Sequence, residues 1–255
     1  MKHGDFSELA KNYDQYRPRY SEDVLSKIIS NLSTPVSQSI AADIGAGTGI
    51  WSRMLFDRGF KKVISIEPNN EMRKYGMEHK DYSIEWREGS GENTNLDDKS
   101  CDLVSMASSF HWVNFHAGIK EFSRILGDNG IFVALWNPRY LDNNPLLLKL
   151  EKKLALLKGE NIERVSSGAS DKINGLMDDL DCSTLFNGVE YFEGTHTQEF
   201  SKEAYLGVWN SVNDVRVQLG ERKFLEFIDF VENQLEGQMS ILAEYKTKAF
   251  LVRKV

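Results

Sequence analysis

The stretch "DIGAGTGIW", residues 43–51, decides the fold of this chain, because it places three glycines directly after an apolar run. Gly45, Gly47 and Gly49 follow the apolar residues 40–42. Glycine at this density weakens any regular element, since its backbone loses the most conformational freedom on folding. The pattern therefore predicts a buried strand that ends in a tight turn and leads into a helix. Backbone N–H groups at the start of a helix point outward, so the turn is typical of a site for a nucleotide-like ligand.

The spacing of the glycines distinguishes two kinds of nucleotide site. Dinucleotide-binding folds use the pattern G-x-G-x-x-G. This chain has G-x-G-x-G instead, and Ile50 stands where the third glycine of that pattern would fall. Ile50 therefore argues against a bound pyrophosphate, and with it against a nicotinamide-dependent oxidoreductase.

Short apolar segments alternate with amphipathic segments over the first part of the chain. They predict strands at residues 39–45, 62–68, 83–89, 101–109 and 131–136, with helices between them. Strand and helix alternating at this spacing is typical of βαβ units that build a parallel sheet. Further strands are predicted at 189–201 and 245–254, after helices over 146–159 and 202–236. The sequence thus predicts an α/β fold: a Rossmann-like, seven-stranded, mostly parallel sheet with helices on both faces and a helical substrate lobe or lid.

The chain is predicted to form one domain over residues 1–255, because the last strand returns to the sheet. Its parts are an N-terminal helical flap (1–36), a ligand-binding core (37–138), a lobe (139–240) and the last strand (241–255). The flap is predicted to begin with a helix that ends before Pro18. One face of this helix is formed by Phe6, Leu9, Ala10 and Tyr13.

Composition and charge limit the classes of partner. The chain carries a formal net charge of −7, and nucleic-acid binders usually show a basic excess, so no nucleic-acid partner is expected. Cys101 and Cys182 are the only cysteines, which make neither a disulfide framework nor a zinc site, and no metal is expected. The N-terminus lacks the apolar core of a signal peptide, and no apolar stretch is long enough to span a membrane. We therefore expect a cytoplasmic protein without a membrane partner, as a monomer or weak homodimer.

Two further features follow the second and third predicted strands. Glu67 ends the second strand, where an acid accepts hydrogen bonds from ribose hydroxyls in dinucleotide folds. The third strand ends in "EGSGE", residues 88–92, where a small polar side chain can bond an adenine amino group and Gly91 allows close approach. Together with the glycine turn, these features predict a binding site for an adenosine group, and none of them requires the ligand to carry a phosphate.

At these residues the chain resembles the class I S-adenosylmethionine-dependent methyltransferases. The resemblance rests on "DIGAGTG" (43–49), Glu67–Pro68, "GSGEN" (89–93) and "DLV" (102–104). The N-terminal "YRPRY" (16–20), "FHWVN" (110–114) and "LWNPR" (135–139) resemble the small-molecule branch that includes the trans-aconitate methyltransferases. The resemblance covers residues 5–140 well and the rest more loosely. It implies S-adenosyl-L-methionine as cofactor and S-adenosyl-L-homocysteine as product.

The resemblance also implies which residues bind the cofactor. The glycine turn would face its methionine and ribose parts, Glu67 its ribose hydroxyls, and the loop after the third strand its adenine edge. The implied set is Tyr13, Arg17, Asp43, Gly45, Ala46, Gly47, Thr48, Gly49, Glu67, Pro68, Met72, Gly89, Ser90, Gly91, Glu92 and Ser108. The family often has Asp where this chain has Ser90, so the adenine contact there is expected to be weaker or replaced.

Residues at the ends of the fourth and fifth strands are candidates for the substrate pocket: Phe110, Trp112, Trp136, Arg139 and Tyr140. Arg139 can pair with an anionic substrate, but it can equally be a surface arginine, and the aromatic side chains can belong to the core. His111 is the candidate catalytic base, since it follows a buried strand. Packing and hydrogen bonding that support the loop explain His111 too, and we favour that interpretation because many methyl acceptors need no base.

The favoured function is methyl transfer from S-adenosylmethionine to a small molecule, with a carboxylate or hydroxyl as the preferred acceptor by analogy with the family. Two alternatives remain open: a non-catalytic S-adenosylmethionine-binding module, and C- or N-methylation of another metabolite. A side-chain-filled space beside the cofactor would favour the non-catalytic module.

Overall fold

The chain forms one sheet of seven strands, and the computed structural model describes residues 10–141, 144–164, 173 and 175–255. The strands are β1 (Ile40–Ile44), β2 (Lys62–Ile66), β3 (Glu85–Arg87), β4 (Cys101–Ala107), β5 (Leu126–Trp136), β6 (Phe186–Phe200) and β7 (Ile241–Lys254). Their spatial order is β3-β2-β1-β4-β5-β7-β6. Strands β1 to β5 pair in parallel, whereas β7 is antiparallel to both β5 and β6. The predicted Rossmann-like, mostly parallel sheet is confirmed.

Helices cover both faces of this sheet. They are α1 (Ala10–Tyr16), α2 (Glu22–Ser30), α3 (Ile50–Asp57), α4 (Asn70–Glu78), α5 (Phe115–Ile125), α6 (Pro145–Lys158), α7 (Leu176–Asp181), α8 (Lys202–Asn210), α9 (Asn213–Leu219) and α10 (Glu221–Gln234). Two short 3-10 turns lie at Val36–Gln38 and Phe110–Trp112. Buried side chains of α2 and α3 pack on one face, and those of α5 and α7 pack on the other.

Strand β5 shows how the pleat produces two cores. Phe132 and Ala134 belong to the hydrophobic cluster on the α5 side, whereas Ile131 and Val133 belong to the cluster on the α3 side. Successive side chains of a strand point to opposite faces, so a continuous apolar run serves both cores at once. This accounts for the apolar "IFVALW" segment that the sequence shows without alternation.

A third core lies in the lobe formed by α6 and α8–α10. Leucines of α6 pack with Trp209 of α8 and with Phe224 and Phe227 of α10. Tyr245 and other inward-facing residues of β7 belong to the same cluster, so the lobe is attached to the sheet through β7.

The segment between α1 and α2 crosses the end of the sheet and connects the lobe with the core. Arg17 donates a hydrogen bond from Nη2 to the Ser211 carbonyl at 3.2 Å, and the Ser21 N–H donates to Thr247 Oγ1 at 2.8 Å. The ring of Tyr16 lies so close to Gly207 that a Cβ there would overlap it. These contacts fix the N-terminal segment over the carboxyl ends of the central strands. Phe6 and Leu9, predicted to share the face of the first helix, lie outside the described residues.

Several predicted strand bounds are wrong. Strand β3 is limited to three residues because the loop after it folds back, with the Ser90 N–H bonded to the Asn93 carbonyl at 2.9 Å. Strand β4 ends at Ala107, since Ser108 has φ +57°. Strand β5 begins five residues earlier than predicted, and residues 128–130 form an irregularity inside it, with Asn129 at φ +62°. Strands β6 and β7 also begin earlier than predicted, because they pair along almost their whole length.

Candidate functional site

The three glycines of the loop after β1 all have a left-handed backbone, with φ values of +68°, +59° and +83°. At Gly45 an added Cβ would lie 2.7 Å from the Ser109 Cβ, and at Gly49 it would lie 2.8 Å from the Trp86 ring. At Gly47 the nearest neighbour would be the Met72 methyl, at 3.4 Å. Gly45 and Gly49 are therefore required by close packing. Gly47 is required by its backbone conformation and by the open space that it borders.

Glu67 lies one residue beyond β2 and joins that strand to the glycine loop. Its Oε2 atom accepts the N–H of Gly47 at 2.7 Å, and its Oε1 atom accepts the N–H of Asn69 at 2.8 Å. The residue is only 7% exposed. Burial raises the pKa of this carboxyl, while the two backbone N–H donors lower it. Each carboxylate oxygen has a second lone pair, so Glu67 can still accept hydrogen bonds from a ligand.

Asp43 is a second buried carboxyl, set behind the glycine loop. Ser52 Oγ donates to its Oδ2 at 2.5 Å, whereas Oδ1 is buried with no hydrogen-bond partner among the described residues. Burial raises the pKa of Asp43 to about 7, and the nearby charge of Glu67 contributes in the same direction. Burial therefore disfavours the charged form of both carboxyls, and a cation bound nearby would favour their ionisation.

A cavity of about 350 Å³ opens in front of this loop, at the carboxyl ends of the central strands. Its size is within the range of roughly 300–1,000 Å³ typical of ligand pockets. The cavity is bordered by the N-terminal segment, the glycine loop, the ends of β2 and β4, and the loops that follow β3 and β4. Ligands of open α/β sheets bind at this edge of the sheet.

Most of the residues that were predicted to bind the cofactor meet at this cavity. Those that border it are Tyr13, Arg17, Gly45, Ala46, Gly47, Glu67, Pro68, Met72, Ser90, Gly91, Glu92 and Ser108, together with Trp112 from the substrate set. The structure places the other predicted residues outside its lining: Asp43, Thr48, Gly49 and Gly89, and Phe110, His111, Trp136, Arg139 and Tyr140. Phe110 and Trp136 belong to the hydrophobic core, and Arg139 lies in the lobe cluster beside Trp209.

Sequence reasoning missed several lining residues. They are Pro18, Tyr20, Ile50, Trp51, Asn69, Met106, Ala107, Ser109, Val113 and Asn137. Most of them are chain neighbours of predicted residues, so the same sequence motifs could have indicated them. Tyr20 is the least predictable, since its hydroxyl reaches Ser108 Oγ at 3.0 Å across 88 residues of sequence. Burial raises the pKa of Tyr20 far above its ordinary value, which keeps the hydroxyl protonated.

His111 is engaged with the core below the cavity. Its Nδ1 atom accepts a hydrogen bond from Trp136 Nε1 at 3.2 Å, and its ring packs against Trp112 with 4.6 Å between centroids. A neutral imidazole that accepts at Nδ1 carries its proton on Nε2. In this arrangement neither ring nitrogen is set to take a proton from a substrate. The geometry supports the packing role that we favoured from the sequence.

The loop after β3 is held in shape by its own short contacts. The N–H of Glu92 donates to Ser90 Oγ at 3.3 Å, and Glu92 Oε1 accepts the N–H of Asn114 at 2.8 Å. Gly91 lies so close to Val113 that an added Cβ would overlap its side chain. Gly91 is thus needed for packing between two loops that both border the cavity.

The described part of the chain contains no helix long and apolar enough to cross a membrane. Within that same part, no group of three or more His, Cys, Asp or Glu side chains is arranged to hold a metal ion.

Comparisons with known proteins point to one family. Residues 42–134 match the family profile described as "Methyltransferase domain". A Dictyostelium discoideum protein named as a methyltransferase is 31% identical over 132 residues, which cover 52% of this chain and 48% of that protein. The chain thus spans about half the length of this curated relative.

Two solved structures share the fold. A type II methyltransferase structure from Anaeromyxobacter dehalogenans has a TM-score of 0.68 at 17% identity, covering 93% of this chain and 98% of that one. A methyltransferase of an antibiotic biosynthesis pathway from Anabaena variabilis has a TM-score of 0.61 at 22% identity, covering 92% and 98%. Residues 42–134 therefore resemble a methyltransferase domain, and the chain as a whole has the fold of these solved methyltransferase structures.

Proposed function

We propose that this protein transfers the methyl group of S-adenosylmethionine to a small-molecule acceptor, with a carboxylate or hydroxyl oxygen as the preferred acceptor atom. The observation that carries the proposal is the cavity between the glycine loop and the N-terminal segment, with Glu67 buried at its edge. The preference for oxygen follows the resemblance to the trans-aconitate methyltransferase branch and is an analogy only.

The residues around the cavity fit the proposed cofactor. Gly47 leaves room at the loop, because a Cβ there would meet, among the described residues, only Met72 and Tyr13 within 4 Å, both at ordinary contact distance. The Glu67 carboxylate keeps lone pairs for two ribose hydroxyls. Burial raises the pKa of the Glu67 carboxyl, and a positively charged ligand in the cavity would favour its ionised form. When bound, S-adenosylmethionine supplies a sulfonium that makes its methyl group electrophilic without help from the protein.

The chain's own contribution is alignment and exclusion of water. Tyr13, Arg17 and Tyr20 of the N-terminal segment border the cavity together with Glu67. Arg17 is fixed by its hydrogen bond to Ser211 and lies 4.8 Å from the centroid of the Tyr13 ring. Groups held in this way can align two reactants, and good alignment contributes about 7–11 kcal/mol in favourable cases. A closed site also removes water that would compete for the methyl group.

No general base is required for a carboxylate acceptor. An ordinary carboxyl group has a pKa near 4 and is ionised at neutral pH, so its oxygen is already a nucleophile. This agrees with the engagement of His111 Nδ1 by Trp136. A hydroxyl acceptor would need a proton acceptor elsewhere in the site.

Two measurements test the proposal. Calorimetry with S-adenosylhomocysteine should show binding, and Gly47→Val should abolish it by filling the loop side of the cavity. Tritium transfer from labelled S-adenosylmethionine across a pool of metabolites should then yield a labelled small molecule. Binding without any labelled product would favour the non-catalytic module, and products labelled at carbon or nitrogen would favour the second alternative. Tight binding by the Gly47→Val variant would refute the assignment of the site.

A further inference from the structure

A cluster of buried hydrogen-bond donors lies where the lobe meets the sheet. Its atoms have no hydrogen-bond partner among the described residues: Nε and Nη2 of Arg139, the hydroxyl of Tyr245, Nε1 of Trp209 and Nε of Arg17. Burying a polar group without a partner costs free energy, and burying a charge costs more. The nitrogen atoms of Arg139, Trp209 and Arg17 can only donate, and the Tyr245 hydroxyl can donate or accept, so the missing partner of the nitrogen atoms is an acceptor.

Arg139 and Tyr245 are held together by the sheet. They form a bridge between the extension of β5 and strand β7, so their side chains lie on the same face. Tyr245 is 2% exposed. The guanidinium of Arg139 lies 3.9 Å from the centroid of the Trp209 ring. Stacking on Trp209 fixes the plane of the guanidinium and leaves the donors along its edge available.

A second buried guanidinium, that of Arg164, lies near Arg139. Arg164 pairs with Glu151 at 2.5 Å, and its pKa is lowered by burial first and by Arg139 as well, whereas Glu151 and Asp214 raise it. Arg139 therefore adds a positive charge beside a guanidinium that is already paired with a carboxylate. Burial raises the pKa of Tyr245 to about 12, so its hydroxyl keeps its proton at neutral pH and adds no negative charge.

The cluster is next to the proposed cofactor cavity. Arg17 borders the cavity, and its charge also acts on the Tyr245 hydroxyl. Asn137 borders the cavity too and lies two residues before Arg139 on an extended segment, so the two side chains point to the same side. The cluster thus lies beside the part of the cavity that Arg17 and Asn137 border.

We propose that Arg139, with Tyr245 and Trp209, is an anion subsite that anchors a carboxylate of the methyl acceptor, an inference that rests on the proposed function. Nε and Nη2 lie side by side on one edge of the planar guanidinium, and such a pair matches the two oxygens of one carboxylate. The Tyr245 hydroxyl and the positive charge of the guanidinium complete the binding of an anion. The anchor determines which end of the acceptor faces the cofactor cavity.

Binding of simple acids tests the subsite before the acceptor is known. The probes are acetate, benzoate and octanoate, each compared with its amide, and inorganic phosphate as the other source of anionic oxygens. Saturation-transfer NMR and calorimetry would measure binding to the full chain, both with and without S-adenosylhomocysteine. We expect at least one acid to bind, its amide to bind weakly, and Arg139→Gln to weaken the acid by about ten- to a hundredfold, since hydrogen bonds to charged groups are lost. Arg139→Lys keeps the positive charge but lacks the paired N–H donors of the guanidinium, so its affinity for the acid should lie between those of wild type and Arg139→Gln.

Controls separate this outcome from unfolding and from failure of the proposed function. Arg216 also stacks on an aromatic ring of the lobe, 4.2 Å from Phe224, but it is paired with Glu221, so Arg216→Gln should leave acid binding unchanged. Thermal melting and S-adenosylhomocysteine binding of the Arg139 variants show whether they are folded. Three results would overturn the carboxylate subsite. They are equal acid binding by wild type and Arg139→Lys, no binding of any acid to wild type, and binding of phosphate alone. Absence of S-adenosylhomocysteine binding in wild type would count against the proposed function, while the measurement without it still decides the subsite.

Discussion

Glu67 and Gly47 are joined by a 2.7 Å hydrogen bond that connects the end of β2 with the middle of the glycine loop. The same carboxylate holds the Asn69 N–H at the start of the segment leading into α4. Glu67 therefore shapes two elements of the cavity wall in addition to bordering the cavity itself. Its replacement should disturb the proposed cofactor site without opening the hydrophobic core.

Glu67→Gln should weaken the binding of S-adenosylhomocysteine by about ten- to a hundredfold. The amide keeps the shape of the side chain, but its NH2 group cannot accept an N–H, and charge-assisted hydrogen bonds contribute about 1.5–3 kcal/mol. Calorimetry measures the loss. Glu88→Gln is the matched control, because Glu88 is 77% exposed and paired only with Arg73 among the described residues. The same loss in both variants would contradict the role given to Glu67.

Gly47→Val and Gly59→Val should have similar effects on stability and different effects on binding. Both glycines have a left-handed backbone, with φ values of +59° and +81°, so both variants are strained, by about 1–2 kcal/mol or more. A Cβ at Gly59 would meet no atom of the described part of the chain within 4 Å, whereas Gly47 borders the cavity. Urea unfolding and calorimetry on the two variants separate strain from blockage. Loss of cofactor binding in Gly59→Val would show that strain alone is sufficient.

Asp43→Asn should change how stability depends on pH. The folded-state pKa of Asp43 is about 7, above the value near 4 of an unfolded Asp, so the native state binds more protons than the unfolded state between these pH values. The free energy of unfolding of the wild type therefore falls as pH rises from about 4 to about 7 through this group. The variant lacks this contribution, so its stability relative to wild type should increase over the same range. Urea titrations at pH 4.5, 6 and 7.5 measure the difference, and a decrease would show that the fold stabilises the charged carboxylate.

His111→Phe should retain most of the methyltransferase activity and lose stability. The ring still packs against Trp112, but the Trp136 indole N–H loses its acceptor, which costs about 1–3 kcal/mol when the donor stays buried. A general base contributes about 100- to 10,000-fold to the rate, so the two roles predict very different activities. Tritium transfer and thermal melting on the same preparation measure both. A rate loss of 100-fold in a variant with wild-type stability would establish His111 as the base.

The central part of the fold could be predicted because its signals are local. The apolar run, the left-handed glycines and the helix that follows are contiguous at residues 40–57, and Glu67 is found at the end of the next strand. The ends of β5 and β7 could not be predicted, since pairing between distant segments fixes them. Leu126 joins β5 by pairing with Cys101, and Ile241 joins β7 by pairing with Phe200.

The residues of the candidate site also fall into those that the sequence could predict and those that it could not. Gly47, Glu67 and Ser90 could be assigned to the cavity from motifs that lie close together in sequence. The surroundings of Arg139 could not, because Trp209 lies 70 residues further along the chain and Tyr245 more than 100. Only the folded lobe shows that Arg139 is stacked and that its Nε and Nη2 atoms have no acceptor among the described residues, whereas the sequence left it as a substrate ligand or a surface residue.

The position of β7 between β5 and β6 has a consequence for the order of folding. Strands β1 to β5 can associate as they emerge, but β6 has no neighbour in the sheet until β7, the last strand in chain order, is inserted. Pairs such as Phe132 with Val252 close loops of more than 100 residues, and such non-local contacts form slowly. Until then, β5 exposes an apolar edge to other chains, so nascent or partly unfolded molecules should be the main source of aggregation.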